Sequence, residues 1–461
     1  MALVNAAKIV SQKTYQVPGK LKITEHFFEV SRDYSNPSSG LLQLFARSCQ
    51  KNEKPASGPD SEADKKSAQL PWLVYLQGGP GFECGSPQNS AWTNAVLDKG
   101  YQVLCLDQRG TGLSSPLCAS SLGLRGDESV QAKYMKSFRA DSIVKDCEAV
   151  RKALTKDFEG GEEKKKWTVM GQSFGGFCAV TYLSFFSEGL REVFLFGGLP
   201  PMVDNPDDVY ERLYKRVTAR NEAYYRKYPE DVERVKAIVK LLQRFGDSTV
   251  RTPSGGSLSA RRFQQLGLLF GGHGGIDKVH EIVLRASTDL NQVGHLTRGT
   301  VSAIEQTDSF DDNIIYSMLH EPIYCQGQPS NWSAERLLPA FPQFALTTSG
   351  PIHFTGEMIY PFMFDTYAEL TKLSHVAHKL AADSDWPALY DLDQLAKNEV
   401  PVYAAVYLND MYVDYDLSVD TASKIKGCQT FVTNALYHNA VRAKVDDVLK
   451  GVWALRDDVI D

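Results

Sequence analysis

A serine set between glycines carries the clearest chemical signal in this sequence of 461 residues. The motif G-Q-S-F-G at 171–175 fits the pattern G-x-S-x-G, in which a nucleophilic serine stands on a sharp turn between a strand and a helix. The residues at 167–170 predict the strand, and an apolar helix is predicted after the turn. Because glycine lets the two elements approach each other closely, Ser173 should project from the turn as a nucleophile. The alternative is a glycine turn whose serine has no catalytic part.

A second glycine-rich segment could stabilise the negative charge that forms when a serine attacks an acyl group. Such an oxyanion needs two backbone N–H donors. We expect one donor from Phe174, directly after the nucleophile, and the other from Gly79 in the sequence Q-G-G-P-G at 77–81. This sequence follows a predicted strand that ends at Leu76. On its own it would also fit a plain turn between a strand and a helix.

A histidine and an aspartate near the C-terminus could complete a catalytic triad. After a G-x-S-x-G turn of this kind, the acid and then the histidine follow along the chain. Of the nine histidines, only His438 lies beyond the predicted strand at 401–408. Asp410 is the first carboxylate after that strand, and Asp414 is the alternative acid. In this interpretation His438 takes the proton of Ser173, Asp410 orients the imidazole, and an acyl-enzyme forms and is then hydrolysed.

The elements that must hold these residues form an interrupted α/β pattern. From residue 71 to about residue 200, apolar strands alternate with helices, which implies a parallel sheet covered by helices. The next 195 residues are mostly amphipathic helix, and strand signals resume at 401–408. We therefore predict an α/β fold whose core comprises 1–200 and 396–461, with a large, mostly helical cap over 201–395.

The segments that precede this region also predict strands. The sequences L-K-I-T-E-H-F-F-E-V at 21–30 and L-L-Q-L-F-A-R-S-C at 41–49 alternate in the manner of half-buried strands. The polar residues at 52–69 show no apolar periodicity and predict a loop. Within the predicted cap, the sequence G-G-H-G-G at 271–275 interrupts the helical pattern.

Composition excludes several classes of protein. Lys and Arg number 50 and Asp and Glu number 56, a net charge of −6, whereas nucleic-acid binders usually carry a basic domain or stripe. No stretch approaches about 18 consecutive apolar residues, and the N-terminus lacks the apolar core of a signal peptide, so we expect no membrane span and no secretory leader. The eight cysteines form no C-x-x-C pair and predict reduced thiols in a cytoplasmic protein. The zinc spacing H-E-x-x-H does not occur, so neither a metal nor a cofactor is expected.

Four segments together resemble the proline iminopeptidase (prolyl aminopeptidase) family of α/β-hydrolases. They are Q-G-G-P-G-F-E at 77–83, L-D-Q-R-G-T-G-L-S at 106–114, G-Q-S-F-G-G at 171–176 and G-G-L-P-P at 197–201. The resemblance covers most of the chain and implies an α/β-hydrolase fold with a large helical cap inserted between the two halves of the sheet domain. It also implies a serine exopeptidase that removes an N-terminal residue, usually proline, from short peptides.

The sequence departs from the family pattern at three places. The family loop usually begins H-G-G-P-G, where this chain has Gln77 in place of the histidine. The acid is often found in G-R-Y-D, where this chain has L-N-D ending at Asp410. The base is often found in G-H-S, where this chain has Y-H-N at 437–439. These differences keep the catalytic residue types and leave the substrate preference open.

The resemblance further implies that glutamates of the cap bind the free, positively charged amine of the substrate. The matching positions are Glu321 and Glu357, each in apolar surroundings where an unpaired carboxylate would be costly. A salt bridge inside the cap is the alternative for either residue, and Glu305 is a further candidate. Aromatic residues of the cap could line a pocket for the proline ring, with a cap core as their alternative role: Phe341, Phe344, Phe354, Tyr360, Phe362 and Phe364.

The expected partner is therefore a small peptide with a free N-terminus, with no nucleic acid and no membrane, and the number of subunits stays open. Two other functions compete with this one. Another serine esterase or amidase on the same scaffold would not need Glu321 and Glu357. A non-catalytic ligand receptor on the same fold is disfavoured by the complete set of Ser173, Asp410 and His438.

Overall fold

The computed structural model of the protein describes residues 4–52, 69–244, 246, 248–347 and 349–458. The polar segment that predicts a loop falls almost entirely on residues 53–68, which lie outside the described residues. The strands run Lys8–Val17 (β1), Leu21–Ser31 (β2), Leu41–Lys51 (β3), Trp72–Leu76 (β4), Gln102–Leu106 (β5), Trp167–Gln172 (β6), Leu190–Phe196 (β7), Val402–Tyr407 (β8) and Cys428–Thr433 (β9).

All nine of these strands form one sheet, in the order β1-β2-β3-β5-β4-β6-β7-β8-β9. The first three strands pair antiparallel, β3 pairs antiparallel with β5, and every later pair is parallel. Strands β7 and β8 are neighbours although about 200 residues of sequence separate them, with Val193 opposite Val402. The two predicted halves of the sheet are therefore joined into one, which brings the loops after β6, β8 and β9 to the same edge.

Helices cover the sheet and are the main regular structure of the chain between β7 and β8. Before β7 they are Thr93–Asp98 (α1), Ala119–Gly123 (α2), Glu128–Met135 (α3), Ala140–Leu154 (α4), Glu162–Lys165 (α5) and Phe174–Phe186 (α6). Between β7 and β8 they are Asp207–Lys227 (α7), Asp231–Arg244 (α8), Ala260–Gln264 (α9), Gly275–Val293 (α10), Arg298–Glu305 (α11), Ile314–Leu319 (α12), Ser333–Leu337 (α13), Met363–Thr366 (α14), Ser374–Ala382 (α15) and Leu392–Ala396 (α16). The last ones are Tyr415–Lys424 (α17), Ala440–Ala443 (α18) and Val445–Asp457 (α19).

Both faces of the central sheet are buried, because successive side chains of a strand point to opposite sides. In β4, Trp72, Val74 and Leu76 belong to the core beneath α4 and α6, whereas Leu73 and Tyr75 belong to the core beneath α1 and α19. This two-sided burial explains why the parallel strands are continuous apolar runs in the sequence.

The edge strand β1 was not predicted. Most of its side chains are exposed, so the apolar alternation that indicates a strand is weak there. It is held by pairing with β2, in which Lys8 lies opposite Glu29 and their side chains form an ion pair of 2.8 Å.

The segment between β7 and β8, which we call the helical insertion, carries little extended structure. Among its described residues the only β-bridge is the isolated pair Arg251 and Ser257. Its longest helix, α7, buries tyrosines and aliphatic residues along one face. In the described part of the chain, no helix is both long enough and apolar enough to cross a membrane.

Candidate active site

Ser173 lies at the junction of β6 and α6. Its backbone conformation, φ 54° and ψ −127°, is one that residues other than glycine rarely adopt. The glycines around it are required by close packing. A Cβ on Gly175 would lie 1.9 Å from the carbonyl oxygen of Leu76, and a Cβ on Gly171 would lie 2.5 Å from the carbonyl oxygen of Gly175. Helix α6 can therefore pack against β4 and β6 only because residues 171 and 175 are glycines. The turn between β6 and α6 presents Ser173 at its tip.

The Q-G-G-P-G loop after β4 lies against the serine. A Cβ on Gly78 would lie 2.9 Å from Cβ of Ser173, a contact that the sequence analysis did not predict. Gly79, the expected oxyanion donor, follows directly and has a φ of 136°, a conformation that only glycine adopts readily. Phe174, the other expected donor, is the first residue of α6. The loop and the helix terminus thus flank the same serine.

Asp410 and His438 form a hydrogen-bonded pair. Nδ1 of His438 lies 2.7 Å from Oδ2 of Asp410. The other carboxylate oxygen accepts the backbone N–H groups of Tyr412 at 2.9 Å and Val413 at 3.1 Å. Asp410 is buried, and the hydrogen bonds to both of its oxygens fix its orientation toward the imidazole.

The tight G-G turn at 197–198, directly after β7, links this pair to the serine. A Cβ on Gly197 would lie 3.2 Å from Nδ1 of His438 and 3.4 Å from Oδ2 of Asp410. A Cβ on Gly198 would lie 2.7 Å from the carbonyl oxygen of Ser173. The structure therefore brings the three residues of the predicted triad to one place at the sheet edge.

The alternative acid, Asp414, is used elsewhere. One of its oxygens accepts the backbone N–H groups of Asp416 and Leu417 at the beginning of α17. The other lies 2.9 Å from Nε of Arg216. Between the two candidate acids, Asp410 is the one that contacts His438.

The surroundings of His438 favour its protonated form. Burial lowers the pKa of His438, but the charge of Asp410 and the hydrogen bond to it raise that pKa, and Glu357 raises it further. The net pKa of His438 lies above its ordinary value. The pair can therefore hold a proton taken from a neighbouring hydroxyl.

Glu357 lies near His438 in an enclosed polar network. Tyr316 donates a hydrogen bond to Oε1 of Glu357, and Nε2 of His320 lies 3.5 Å from Oε2. Burial would raise the pKa of Glu357, but the hydrogen bond and charge of His320, the charge of His438 and the hydroxyl of Tyr316 lower it below the ordinary value. Glu357 is therefore ionised at neutral pH, and 15% of its side chain remains exposed.

The network behind Glu357 extends into the helical insertion. The hydroxyl of Tyr210 is 3.0 Å from Nδ1 of the buried His320. On the other side, the ring of Tyr316 packs edge-on against Phe82, with ring centroids 5.0 Å apart. Because Phe82 directly follows the loop that flanks Ser173, the contacts of Tyr316 connect Glu357 to that loop.

The second predicted amine ligand, Glu321, has a different environment. Its two oxygens accept the backbone N–H groups of Ser333 at 3.1 Å and Ala334 at 3.0 Å, at the beginning of α13. Only 3% of the residue is exposed, and burial raises the pKa of Glu321 to about 7. Both oxygens of Glu321 thus contact the N-terminus of α13, a contact that Glu357 does not make. The further candidate, Glu305, accepts hydrogen bonds from the backbone N–H and the hydroxyl of Ser254.

The aromatic residues predicted to line a pocket pack mainly against one another. Phe341 stacks on Tyr214 with centroids 4.7 Å apart, and Phe354 packs against Phe263 and Phe270 at 5.7 and 5.8 Å. This is the core role that was the alternative for them. Further such contacts join Tyr360 to Phe362, Phe344 to Tyr214 and Phe364 to Trp332.

An aromatic ring that the sequence analysis missed contacts the histidine. Tyr412 lies edge-on to His438, with ring centroids 4.7 Å apart. Its hydroxyl donates to the carbonyl oxygen of Leu268 in the helical insertion. Its position two residues after Asp410 was the only available signal.

The D-Q-R-G segment after β5 has a supporting role. Nε and Nη2 of Arg109 donate to the two oxygens of Asp146 at 2.7 and 2.6 Å, and both side chains are buried. Asp107 accepts the backbone N–H groups of Cys84 and Leu113, which ties this segment to the loop that flanks Ser173.

Within the described residues, one group of side chains has the spacing of metal ligands: Glu230, Asp231 and His280. Asp231 is already engaged by Arg234 at 2.8 Å and by His280 at 2.8 Å. These partners account for the buried carboxylate without an ion, and the group lies in the helical insertion, at the beginning of α8 and on α10.

Three similarities to known proteins bear on this site. A family model for the alpha/beta hydrolase fold matches residues 71–252. The chain is 47% identical over 456 residues to "Proline iminopeptidase aneH" of Aspergillus aculeatus, which covers 99% of this chain and 98% of that protein. It is 38% identical over 437 residues to "Proline iminopeptidase" of Aeromonas sobria, covering 94% of this chain and 96% of that protein. The predicted α/β-hydrolase fold class is confirmed.

Proposed function

Since the chain belongs to the proline iminopeptidase family of α/β-hydrolases, we propose that it is a serine aminopeptidase that releases N-terminal proline from short peptides. One observation carries the proposal: the buried hydrogen bond between Asp410 and His438 lies beside the strained turn of Ser173, and the ionised carboxylate of Glu357 lies close enough to raise the pKa of His438. A nucleophile, its base and a site for a cation are the parts that such a reaction requires.

In the proposed mechanism, Ser173 attacks the carbonyl carbon of the N-terminal residue. The N–H at Nδ1 of His438 donates a hydrogen bond to Asp410, so Nε2 carries the lone pair that takes the proton of the serine hydroxyl. Asp410 stays ionised and stabilises the imidazolium that forms. The imidazolium then protonates the leaving amine, and water hydrolyses the acyl-enzyme by the same route in reverse.

The tetrahedral intermediate requires donors for its oxyanion. We assign these to the backbone N–H of Phe174, at the beginning of α6, and to that of Gly79. The contact of the neighbouring Gly78 with Ser173 supports this assignment, because it places the loop backbone beside the reacting atom.

We assign recognition of the substrate amine to Glu357. A protonated N-terminal amine can give the carboxylate a charge-assisted hydrogen bond, and the low pKa of Glu357 keeps that carboxylate ionised. Glu321, whose oxygens are both occupied by backbone N–H groups, supports α13 instead. The helical insertion that carries both residues is the proposed cap, over 201–395.

We also propose a cytoplasmic location and a peptide as the partner. All eight cysteines are free, among them the exposed Cys118, and a protein exposed to an oxidising compartment would tend to pair such thiols.

The proposal is tested with a panel of aminoacyl-naphthylamides. We expect Pro-β-naphthylamide to be cleaved and N-acetyl-Pro-β-naphthylamide to resist, because acetylation removes the charge that Glu357 receives. Equal cleavage of the free and the blocked substrate, together with rapid cleavage of simple acyl esters, would instead indicate a general esterase or amidase.

A further inference from the structure

The G-G-H-G-G segment at 271–275, which interrupts the helices of the insertion, lies against the loop that carries His438. Oδ1 of Asn439 is 3.0 Å from the backbone N–H of His273 and 2.6 Å from Nδ1 of its ring. Because the backbone N–H can only donate, the shared atom of Asn439 is an oxygen, and Nδ1 of His273 must carry the proton. A Cβ on Gly272 would lie 3.1 Å from Nδ2 of Asn439, so the two segments are tightly apposed.

Asn439 uses its side chain for this contact rather than for its own helix. It precedes α18, where an asparagine side chain usually accepts a backbone N–H of the first turn. Here no such side-chain bond forms, and backbone bonds close the turn instead: the N–H of Ala440 donates to the carbonyl oxygen of Tyr437 at 2.9 Å, and that of Arg442 to Asn439 at 3.0 Å. The side chain of Asn439 is therefore available to the insertion alone.

The residue before His438 is held from the same side. The guanidinium of Arg220 on α7 lies 4.6 Å from the ring centroid of Tyr437, and it also donates to the carbonyl oxygen of Phe270 at 2.9 Å. The ring of His273 packs edge-on against Tyr437 at 5.1 Å. Both neighbours of His438 in the sequence are thus bound by the helical insertion.

The loop that carries Asp410 contacts the same part of the helical insertion. The ring of Tyr412 packs against His438, its backbone N–H donates to Asp410, and its hydroxyl donates to Leu268. A Cβ on Gly271 would lie 2.2 Å from the ring of Tyr412, so glycine is required there. Residues 268–273 consequently contact both loops that carry the predicted acid and base.

We propose that His273 is a positioning residue for the reaction: through Asn439, it fixes the loop of His438 to the insertion, so that the imidazole faces Ser173 and Asp410 together. The inference rests on the proposed function, because His273 can position the catalytic base only if His438 is that base. The insertion would then contribute to the geometry of the triad in addition to enclosing the substrate.

Three consequences distinguish positioning from a merely structural contact. Asn439→Ala should lower kcat roughly 10- to 100-fold and change KM less than about 2-fold, since a misplaced base slows the chemical step without removing a substrate contact. His273→Ala should lower kcat less than Asn439→Ala does, because the backbone N–H of residue 273 still donates to Asn439. The double variant should be no slower than Asn439→Ala, since both act through one contact.

The pH profile gives an independent readout. The charged groups that act on His438 are Asp410, Glu357 and Arg442, and neither substitution removes any of them. If the loop loosens, the hydrogen bond between His438 and Asp410 weakens, and burial then lowers the pKa of His438. The acidic limb of kcat/KM should therefore move to lower pH in Asn439→Ala.

The experiment measures kcat, KM and the pH profile on Pro-β-naphthylamide for the full-length variants, with folding checked by thermal melting. His295→Ala, at an exposed histidine of the insertion between α10 and α11, is the matched control and should behave as wild type. Asn439→Asp keeps the acceptor oxygens and should recover most of kcat. If Asn439→Ala does not fold, the kcat of His273→Ala tests the positioning role instead. A wild-type kcat in His273→Ala would then overturn the proposal.

The outcomes separate this inference from the proposed function. Wild-type kcat and pH profile in Asn439→Ala, or losses that add in the double variant, would overturn the positioning role while leaving Ser173→Ala inactive. Full turnover by Ser173→Ala would instead overturn the proposed function itself.

Discussion

Nδ1 of His438 lies 2.7 Å from Oδ2 of Asp410, although the two residues are 28 positions apart in the sequence. The backbone N–H groups of Tyr412 and Val413 hold the other oxygen, so the carboxylate cannot rotate away without losing two hydrogen bonds. This arrangement fixes which nitrogen of the imidazole carries the proton and leaves Nε2 to accept one.

The two candidate acids should differ sharply when each is neutralised. Asp410→Asn should lower kcat by roughly 10⁴-fold, because an amide no longer fixes the reactive tautomer of His438. Asp414→Asn should retain most of kcat and lose at most about 1 kcal/mol of stability, because Asp414 caps α17 and pairs with Arg216. Steady-state kinetics and thermal melts on the two variants check this, and the reverse ranking of kcat would identify Asp414 as the acid.

The sequence predicted the serine turn well because its requirements are local. Glycine is required at 171 and 175 because a Cβ there would lie 2.5 and 1.9 Å from backbone carbonyl oxygens, and such a requirement leaves a readable motif. By contrast, the choice between Asp410 and Asp414 depends on which carboxylate faces His438 across the sheet edge. Strand-end position favoured Asp410, but only the fold shows that Asp414 is occupied by Arg216.

Strand β1 and the different environments of Glu321 and Glu357 leave no clear signal in the sequence. Strand β1 is mostly exposed, so its apolar alternation is weak and it depends on pairing with β2. Glu321 and Glu357 both lie in apolar sequence, yet the first is bound by the N-terminus of α13 and the second by His320 and Tyr316. Those partners lie 12 and 13 positions from Glu321, and Tyr316 lies 41 positions from Glu357, which is beyond the reach of a local sequence pattern.

The charge of Glu357 should be visible in the pH dependence of the catalytic base. A base must be neutral to act, so activity falls as pH drops through the pKa of His438. That pKa is raised above its ordinary value of 6.5, in part by Glu357. Glu357→Gln should therefore move the acidic limb of kcat/KM to lower pH. The profile is measured on a neutral acyl ester, so that amine binding does not contribute, and an unmoved limb would show that Glu357 does not act on His438.

Substitutions of the two cap glutamates, Glu357 and Glu321, should have different effects on activity and stability. Glu357→Gln should lower kcat/KM for Pro-β-naphthylamide roughly 10- to 100-fold, the usual value of a charge-assisted hydrogen bond, and leave ester cleavage largely intact. Glu321→Ala should instead lower stability by about 1–3 kcal/mol, since it strips the acceptors from two buried N–H groups. An equal, selective loss of amine-substrate activity in a folded Glu321→Ala variant would restore Glu321 to the amine site.

The serine turn should be intolerant of a single methyl group. Gly175→Ala places a Cβ 1.9 Å from the carbonyl oxygen of Leu76, so β4 and α6 must separate, and we expect a loss of at least about 2 kcal/mol together with loss of activity. Gly85→Ala is the matched control, because a Cβ there meets nothing within 4 Å. Chemical denaturation compares the two variants, and equal stabilities would contradict the close packing of this turn.

The most direct test of the proposed function compares wild type and Ser173→Ala on Pro-β-naphthylamide and its N-acetyl derivative. We expect rapid release of naphthylamine only by the wild type and only from the substrate with the free amine. Equal rates on both substrates, or undiminished turnover by a folded Ser173→Ala variant, would contradict a serine aminopeptidase built on Ser173, His438 and Asp410.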